Sequence, residues 1–191
     1  MSSHNVELLR DIYAQILQDP RYRSNLEWGE PRSGHCEGSI RAHIAELENN
    51  LEILRTNLSE EHYWKLKILI HVHDIFKTDS NQKAPIASSQ SHASQAKQFL
   101  ATYSQDTDLL SMVQYHDEGY ALWKQFIERG RYDITRFNRL LASIKDLDLF
   151  LWFNIVDGCT KSKSREALKW FIMQVGKVAA ISVSVNSILE E

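Results

Sequence analysis

The sequence predicts an all-α protein. Apolar residues recur at helical spacing through most of the 191 residues, and no run of alternating strands with hairpin turns stands out. Only seven glycines and three prolines interrupt the chain, so it has few natural breaks. The chain is 43% hydrophobic and 25% charged, a balance typical of globular proteins, and its length suits one domain with a substantial core.

The apolar periodicity predicts helices at 5–18, 36–57, 60–76, 90–104, 107–116, 119–129, 134–156 and 165–188. Loops are expected where the breakers fall, at 20–34, at 78–91, and near Gly130 and Gly158. The run VAAISVSV near the end alternates, so a strand is the alternative there. The most apolar stretch, residues 168–189, is interrupted by lysine, glutamine and serine and is too polar to span a membrane.

Charge and cysteine content narrow the classes of function. A net charge of -3 argues against a broad basic surface for nucleic acid. Cys36 and Cys159 lie far apart without CxxC spacing, and no secretory signal opens the sequence, so a reduced, cytoplasmic setting is expected. Neither cysteine is expected to act as a nucleophile or a zinc ligand.

The stretch LIHVHDIFK, residues 69–77, places a histidine and an aspartate at the end of an apolar run. Burying such a pair is unfavourable unless a hydrogen-bonded partner or a metal ion compensates. His73 follows Leu66 by seven positions and Leu69 by four, so its imidazole is predicted to point into the core.

Four more polar side chains share a helix face with apolar residues. His43 lies on the stripe of Leu47, Leu51, Leu54 and Leu58, His92 shares a face with Ala96, Phe99 and Tyr103, His116 with Leu109 and Met112, and Asp157 with Phe150 and Phe153. One such histidine alone is more often a satisfied core residue than a ligand. Five inward polar groups on separate helices favour a metal site in a bundle core, built from imidazole and carboxylate ligands of facing helices.

In this arrangement the chain resembles the HD superfamily of metal-dependent phosphohydrolases, named for a His-Asp pair on a helix. The family pattern is a first histidine, a His-Asp pair some thirty residues later and a distant aspartate. Here His43, His73 with Asp74, and Asp157 match that order over about residues 36–160. HDIFK is similar to the family's frequent HDIGK. His35 competes with His43 as the first ligand, and His43 is preferred for its face and spacing.

Many family members carry two further histidines that assist a second metal, and His92 and His116 match these in order. The resemblance therefore implies a single-domain HD-type helical bundle over 1–191, in which the 5–18 and 165–188 helices pack on the 36–160 core. It also implies one or two divalent ions among iron, manganese, cobalt, nickel and magnesium.

The implied reaction is hydrolysis of a nucleotide or another small phosphate ester, with water activated by the metal. Asp74 would bridge two ions or bind one, and Lys77 would hold a phosphate oxygen. Lys161, Lys163 and Arg165 would bind another phosphate oxygen or form a solvated basic helix start. Signatures of the ppGpp hydrolase and cyclic-dinucleotide phosphodiesterase branches do not stand out.

Other candidates and alternatives follow from the same residues. His71 is predicted to pack in the core or support a ligand, Asp117 to bind a ligand histidine from behind or lie exposed, and His4 and His62 to lie at the surface. A few proteins similar to this superfamily use the same ligand set to hold two irons and activate oxygen. A non-catalytic protein that binds a metal or a nucleotide is a further alternative, and the oligomeric state is left open.

Overall fold

A computed structural model describes residues 3–31, 36–81 and 84–189. All regular secondary structure in these ranges is helical, which confirms the predicted all-α class. The α-helices are α1 (Ser3–Gln18), α2 (Pro20–Asn25), α3 (Ile40–Ile53), α4 (Glu60–Val72), α5 (His92–Leu100), α6 (Thr107–Tyr115), α7 (Glu118–Arg129), α8 (Ile134–Ser143), α9 (Leu147–Gly158) and α10 (Glu166–Gly176). Two short 3-10 helices span Arg55–Asn57 and Val185–Ser187.

The bundle is organised around α4, which packs against α1, α3, α6 and α9. Leu66, Ile68, Leu69 and Ile70 of this helix are all buried, so α4 is apolar around most of its circumference, as a central helix must be. On one flank α5 packs against α6, and on another α10 packs against α7 and α9. One continuous apolar core thus joins the helices that carry the predicted site residues.

Within the described ranges, no helix is both long and apolar enough to cross a membrane. Cys36 is exposed and Cys159 is buried, and both are free thiols. The predicted cytoplasmic location stays a prediction.

The prediction of a single helix over 134–156 is wrong, because this part of the chain forms two helices, α8 and α9. Ile144 adopts an extended conformation, and Asp146 caps α9 by accepting a hydrogen bond from the Leu149 amide at 2.9 Å. The carboxylate of Asp108 accepts hydrogen bonds from the Lys145 and Asp146 amides at 2.7 and 3.0 Å. No glycine or proline marks this break, and a distant carboxylate holds it.

The helix predicted at 165–188 is also wrong, because α10 ends at Gly176. The following segment is held by Asp148, which accepts hydrogen bonds from the Ser182 and Val183 amides at 2.8 and 3.2 Å. Val183 is buried beneath it. The described part of this segment contains a 3-10 turn and no strand, so the strand alternative is wrong as well.

Other boundaries also differ from the prediction, among them the start of α3, which is Ile40 where residue 36 was predicted. Part of the predicted 20–34 loop is α2, which has Pro20 in its first turn and Asp19 as its cap. The helix predicted to end at residue 76 ends at Val72, with His73 as its cap, and Asp74 lies in the turns that follow. The His-Asp pair therefore lies at a helix end, where the backbone can turn the two side chains toward different neighbours.

Gly119 lies where α7 approaches α10, and a β-carbon there would be 2.9 Å from Cγ of Phe171. Because Phe171 is itself buried, it has little room to move. We expect Gly119→Ala to lower the free energy of unfolding by about 1–3 kcal/mol, as overpacking does. Urea denaturation followed by circular dichroism measures this change.

Gly176→Ala is the matched control, because its β-carbon would lie 3.6 Å from Ile181, an ordinary contact distance. Equal stability of the two variants would contradict the proposed close packing of α7 on α10.

Candidate metal centre

The six side chains predicted as metal ligands meet at one end of the bundle. His43 lies within α3, His73 caps the end of α4, and Asp74 follows it. His92 begins α5, His116 caps the end of α6, and Asp157 lies in the last turn of α9. His43, His73, Asp74 and His116 are buried, while His92 and Asp157 are partly exposed. The side chains form two groups, each of which could hold a metal ion.

The first group consists of His43, His73 and Asp157. Asp157 Oδ1 lies 3.0 Å from Nε2 of His43 and 3.8 Å from Nε2 of His73. Donor atoms that bind one ion at its usual distance are separated from each other by about 3–4 Å, so this spacing fits a shared ion.

The second group consists of Asp74, His92 and His116. The Nε2 atoms of the two histidines are 3.1 Å apart, and they lie 3.5 and 3.4 Å from Oδ1 of Asp74. The other carboxylate oxygen, Oδ2, faces the first group, 3.4 Å from Nε2 of His73 and 3.9 Å from Nε2 of His43. Asp74 therefore turns one oxygen toward each group, which is the placement of a bridging ligand.

Backbone carbonyls hold two of the imidazoles in place. Nδ1 of His73 lies 3.1 Å from the carbonyl oxygens of Leu69 and Ile70, and Nδ1 of His116 lies 2.8 Å from that of Val113. These contacts assign the proton to Nδ1 and leave Nε2 facing the group centres, as in metal-binding histidines. The helix ends supply the carbonyls, because the last four of a helix lack partners within it.

Glu37 contacts Nδ1 of His43, as the backbone carbonyls contact Nδ1 of His73 and His116. Glu37 was not among the site residues predicted from the sequence. Oε1 of Glu37 lies 3.0 Å from Nδ1 of His43, and the Glu37 side chain is almost fully buried. Glu37 precedes the α3 cap, Ser39, so helical periodicity carries no signal for it. Its only sequence signal is a carboxylate a few residues before a candidate ligand.

The electron-rich atoms of the cluster support a cation between them. Within the described part of the chain, Nε2 of His73 and Oδ1 of Asp74 are buried and make no hydrogen bond. Burial lowers the pKa of His73, so its neutral ring turns a lone pair toward the carboxylate of Asp74. Such an arrangement is repulsive unless positive charge lies between the atoms, so the residues fit a metal ion.

The raised pKa values of His43 and His116 also show that the surrounding carboxylates favour positive charge at this site. Burial opposes protonation of His43, but Asp157 and Glu37 raise its pKa to about 9. Burial likewise opposes protonation of His116, but Asp117 and Asp74 raise its pKa to about 10. The protons on these two histidines therefore carry positive charge that a bound divalent ion would replace.

The cluster opens into a cavity of about 600 Å³ lined by residues of α7, α9 and α10 and of the turns beside them. Lys77 and Lys163 line this cavity, and their ammonium groups pair with ligand carboxylates: Lys77 with Asp74, and Lys163 with Asp157 at 2.8 Å. The predicted position of Lys77 beside the pair is therefore observed. Its role in binding phosphate stays a prediction.

Arg165 does not take the predicted part of an anion ligand. Its guanidinium donates hydrogen bonds to the backbone carbonyls of Gly158, Cys159, Thr160 and Lys163 at 2.6–3.0 Å. These bonds satisfy carbonyls at the end of α9 and hold the turn that carries Lys163. Lys161 is exposed and does not line the cavity.

Asp117 lies on the Nε2 side of the second group, not behind the rings. Its Oδ2 is 3.3 Å from Nε2 of His92 and 3.4 Å from Nε2 of His116. This is the position of a further donor to an ion, whereas a supporting carboxylate would contact Nδ1. His35, the competitor of His43, lies outside the described residues.

His71 belongs to a separate buried cluster, as the core-packing prediction implies. Its Nδ1 lies 2.6 Å from the Tyr22 hydroxyl, and its Nε2 lies 3.0 Å from Glu48 and 3.2 Å from the Tyr13 hydroxyl. The cluster ties α1 and α2 to α3 and α4. Of the two predicted surface histidines, His4 is exposed, but His62 is partly buried and pairs with Asp146 at 3.0 Å.

Comparison with family models, curated proteins and solved structures found no match for this chain. The HD superfamily resemblance therefore stays a prediction from the motif, and functional inference depends on the site itself.

We expect wild-type protein to bind about two divalent ions per chain and His92→Ala about one, because His92 contributes only to the second group. Asp74→Ala is expected to lose both ions, because its two oxygens face both groups. Elemental analysis after loading and removal of excess metal measures the stoichiometry. His4→Ala, at an exposed histidine on α1, is the control. Two tightly held ions in Asp74→Ala would contradict the bridging role.

The Glu48 carboxylate predicts a pH-dependent contribution to stability. The hydrogen bond from His71, with help from Lys67, lowers the pKa of Glu48 from its ordinary value of 4.5 to about 2. Because the folded pKa is depressed, this stabilisation is complete above pH 4.5 and is lost as the pH falls toward 2. Since Glu48 is about one-third exposed, we expect Glu48→Gln to be less stable by about 1–2 kcal/mol at pH 7.

Urea denaturation at several pH values measures this difference, with Glu7→Gln, an exposed glutamate on α1, as the control. A Glu48→Gln deficit that stays constant between pH 7 and pH 3 would show that charge is not its cause.

Proposed function

We propose that this protein is a metal-dependent phosphohydrolase that acts on small phosphate esters at a dinuclear centre. The observation that carries the proposal is the Asp74 carboxylate, with Oδ2 toward His43 and His73 and Oδ1 toward His92 and His116. A carboxylate shared in this way keeps two ions close together, as two-metal phosphoryl transfer requires.

Divalent ions at these ligands would lower the pKa of water to make a nucleophile and would polarise the phosphoryl oxygens. The chain's own contribution is orientation. The carbonyls behind His73 and His116 and the carboxylate behind His43 keep each Nε2 turned toward the centre. Burial of Asp74 keeps bulk water away from its carboxylate oxygens, which would strengthen their interaction with bound ions.

Lys77 and Lys163 supply the second element of the proposal. Each ammonium group lies in the cavity beside a ligand carboxylate, Asp74 for Lys77 and Asp157 for Lys163. An ammonium group on a flexible stem can turn from a carboxylate to a phosphoryl oxygen without leaving the site. We assign both lysines to binding the phosphate group and offsetting the charge that develops on it.

The alternative function is an oxygen-dependent oxidation by two irons. The observation that favours it is the donor set, which contains four imidazoles and two carboxylates and suits iron as well as manganese. The oxidative alternative gives Lys77 and Lys163 no role, whereas the proposed phosphohydrolase uses both lysines to bind substrate. The hydrolase is therefore the preferred proposal.

The test is release of phosphate from a panel of phosphate esters by protein loaded in turn with manganese, iron, cobalt, nickel or magnesium. We expect turnover without oxygen, and we expect Asp74→Ala to lower it at least about a hundredfold through loss of the ions. Lys77→Ala is expected to lower kcat/KM about tenfold or more through weaker phosphate binding.

Asp11→Ala, an exposed aspartate on α1, is the control for the loss of a carboxylate. Full activity of a folded Asp74→Ala variant would refute the site assignment. Two bound irons with oxygen consumption but no phosphate release would favour the oxidative alternative. Metal binding with neither reaction would favour a non-catalytic binding protein.

A further inference from the structure

The cavity extends from the metal centre along one face of α7. Asp117, Tyr120, Ala121 and Lys124 all line it, and their spacing of three and four residues puts them on one side of the helix. Trp123 joins this face, with its ring centroid 5.6 Å from that of Tyr120. Tyr120 is 56% exposed, although a tyrosine usually buries most of its ring.

The other wall of this part of the cavity is apolar. Ala167, Leu168 and Phe171 of α10 line the same space as the α7 aromatics. Gly119 permits this geometry, because any side chain there would collide with the Phe171 ring. The cavity is therefore charged near the metal ligands and lined by aromatic and aliphatic surface further along α7 and α10. Such surface favours a flat, apolar ring, which stacks on aromatic side chains.

The charges of the cavity favour a doubly negative group at the metal end. Its lining contains three carboxylates, Asp74, Asp117 and Asp157, and three ammonium groups, Lys77, Lys124 and Lys163. The three negative and three positive charges cancel. Two divalent ions bound by neutral imidazoles would therefore give this end of the cavity a large net positive charge. A phosphomonoester dianion balances this excess better than a singly charged phosphodiester does.

From these observations we propose that the Tyr120 and Trp123 face of α7 is a subsite for an aromatic base, so that the substrate is a nucleoside monophosphate. The inference rests on the proposed phosphohydrolase function and adds the substrate class. The phosphate lies at the metal end with Lys77 and Lys163, and the base stacks on Tyr120. A cavity of about 600 Å³ falls within the size range of small-molecule sites.

The test compares a nucleoside monophosphate with ribose 5-phosphate, which offers the same phosphate without a base. With metal-loaded protein we expect kcat/KM to be at least about tenfold higher for the nucleoside monophosphate, as stacking of one base provides. Tyr120→Ala should lower that ratio about tenfold, whereas Tyr120→Phe, which keeps the ring, should preserve it. Ile127→Ala, at an exposed residue two turns further along α7 that does not line the cavity, is the matched control.

A second readout separates failure of this inference from failure of the proposed function. Calorimetry of metal-loaded protein with the nucleoside monophosphate should give a Kd that rises about tenfold in Tyr120→Ala and stays constant in Ile127→Ala. That result would support the subsite even if no phosphate is released, in which case only the hydrolase proposal fails. Equal kcat/KM values or equal Kd values for the nucleoside monophosphate and ribose 5-phosphate in wild-type protein would overturn the subsite. Equal losses for the two compounds in Tyr120→Ala would overturn it as well.

Discussion

The carboxylate of Asp74 is buried between four imidazoles and the Lys77 ammonium, and the surrounding structure depends on how its charge is balanced. Burial alone would raise the pKa of this carboxyl, but neighbouring positive charge, including the Lys77 ammonium, holds it well below its ordinary range. An ionised carboxylate in this place requires cationic or hydrogen-bonding groups on every side. The helix ends that converge on Asp74 place the Lys77 ammonium beside one oxygen and present imidazoles that would hold a cation against the other.

Convergence of helix ends also explains the rigidity of the centre. The last carbonyls of a helix lack partners within it, and those of Ile70 in α4 and Val113 in α6 contact Nδ1 of His73 and His116. The imidazoles are thereby fixed by backbone that the core already holds in place. At the end of α9, the Arg165 guanidinium donates hydrogen bonds to the carbonyls of Gly158 and Cys159. The side chain of Asp157, in the same turn, faces His43.

The cavity joins two kinds of surface that a phosphate ester of an aromatic nucleoside would need. Lysines and carboxylates surround its metal end, and Tyr120 and Trp123 line its course along α7. The stacking face depends on the close approach of α7 to α10, which Gly119 and Phe171 permit. Core packing and the proposed substrate specificity are therefore linked through a single helix pair.

The sequence by itself determined the helical class, the ligand candidates and their inward faces, because periodicity reports burial directly. It placed His43, His73 and His116 correctly in the interior, whereas His92 and Asp157, which were also expected to face inward, are partly exposed. Only the tertiary structure decided the break between α8 and α9 and the end of α10, and it brought Glu37 to His43. The break and the end of α10 each depend on a contact between residues far apart in the chain, such as Asp108 with the Lys145 amide, and local sequence pattern does not report such contacts.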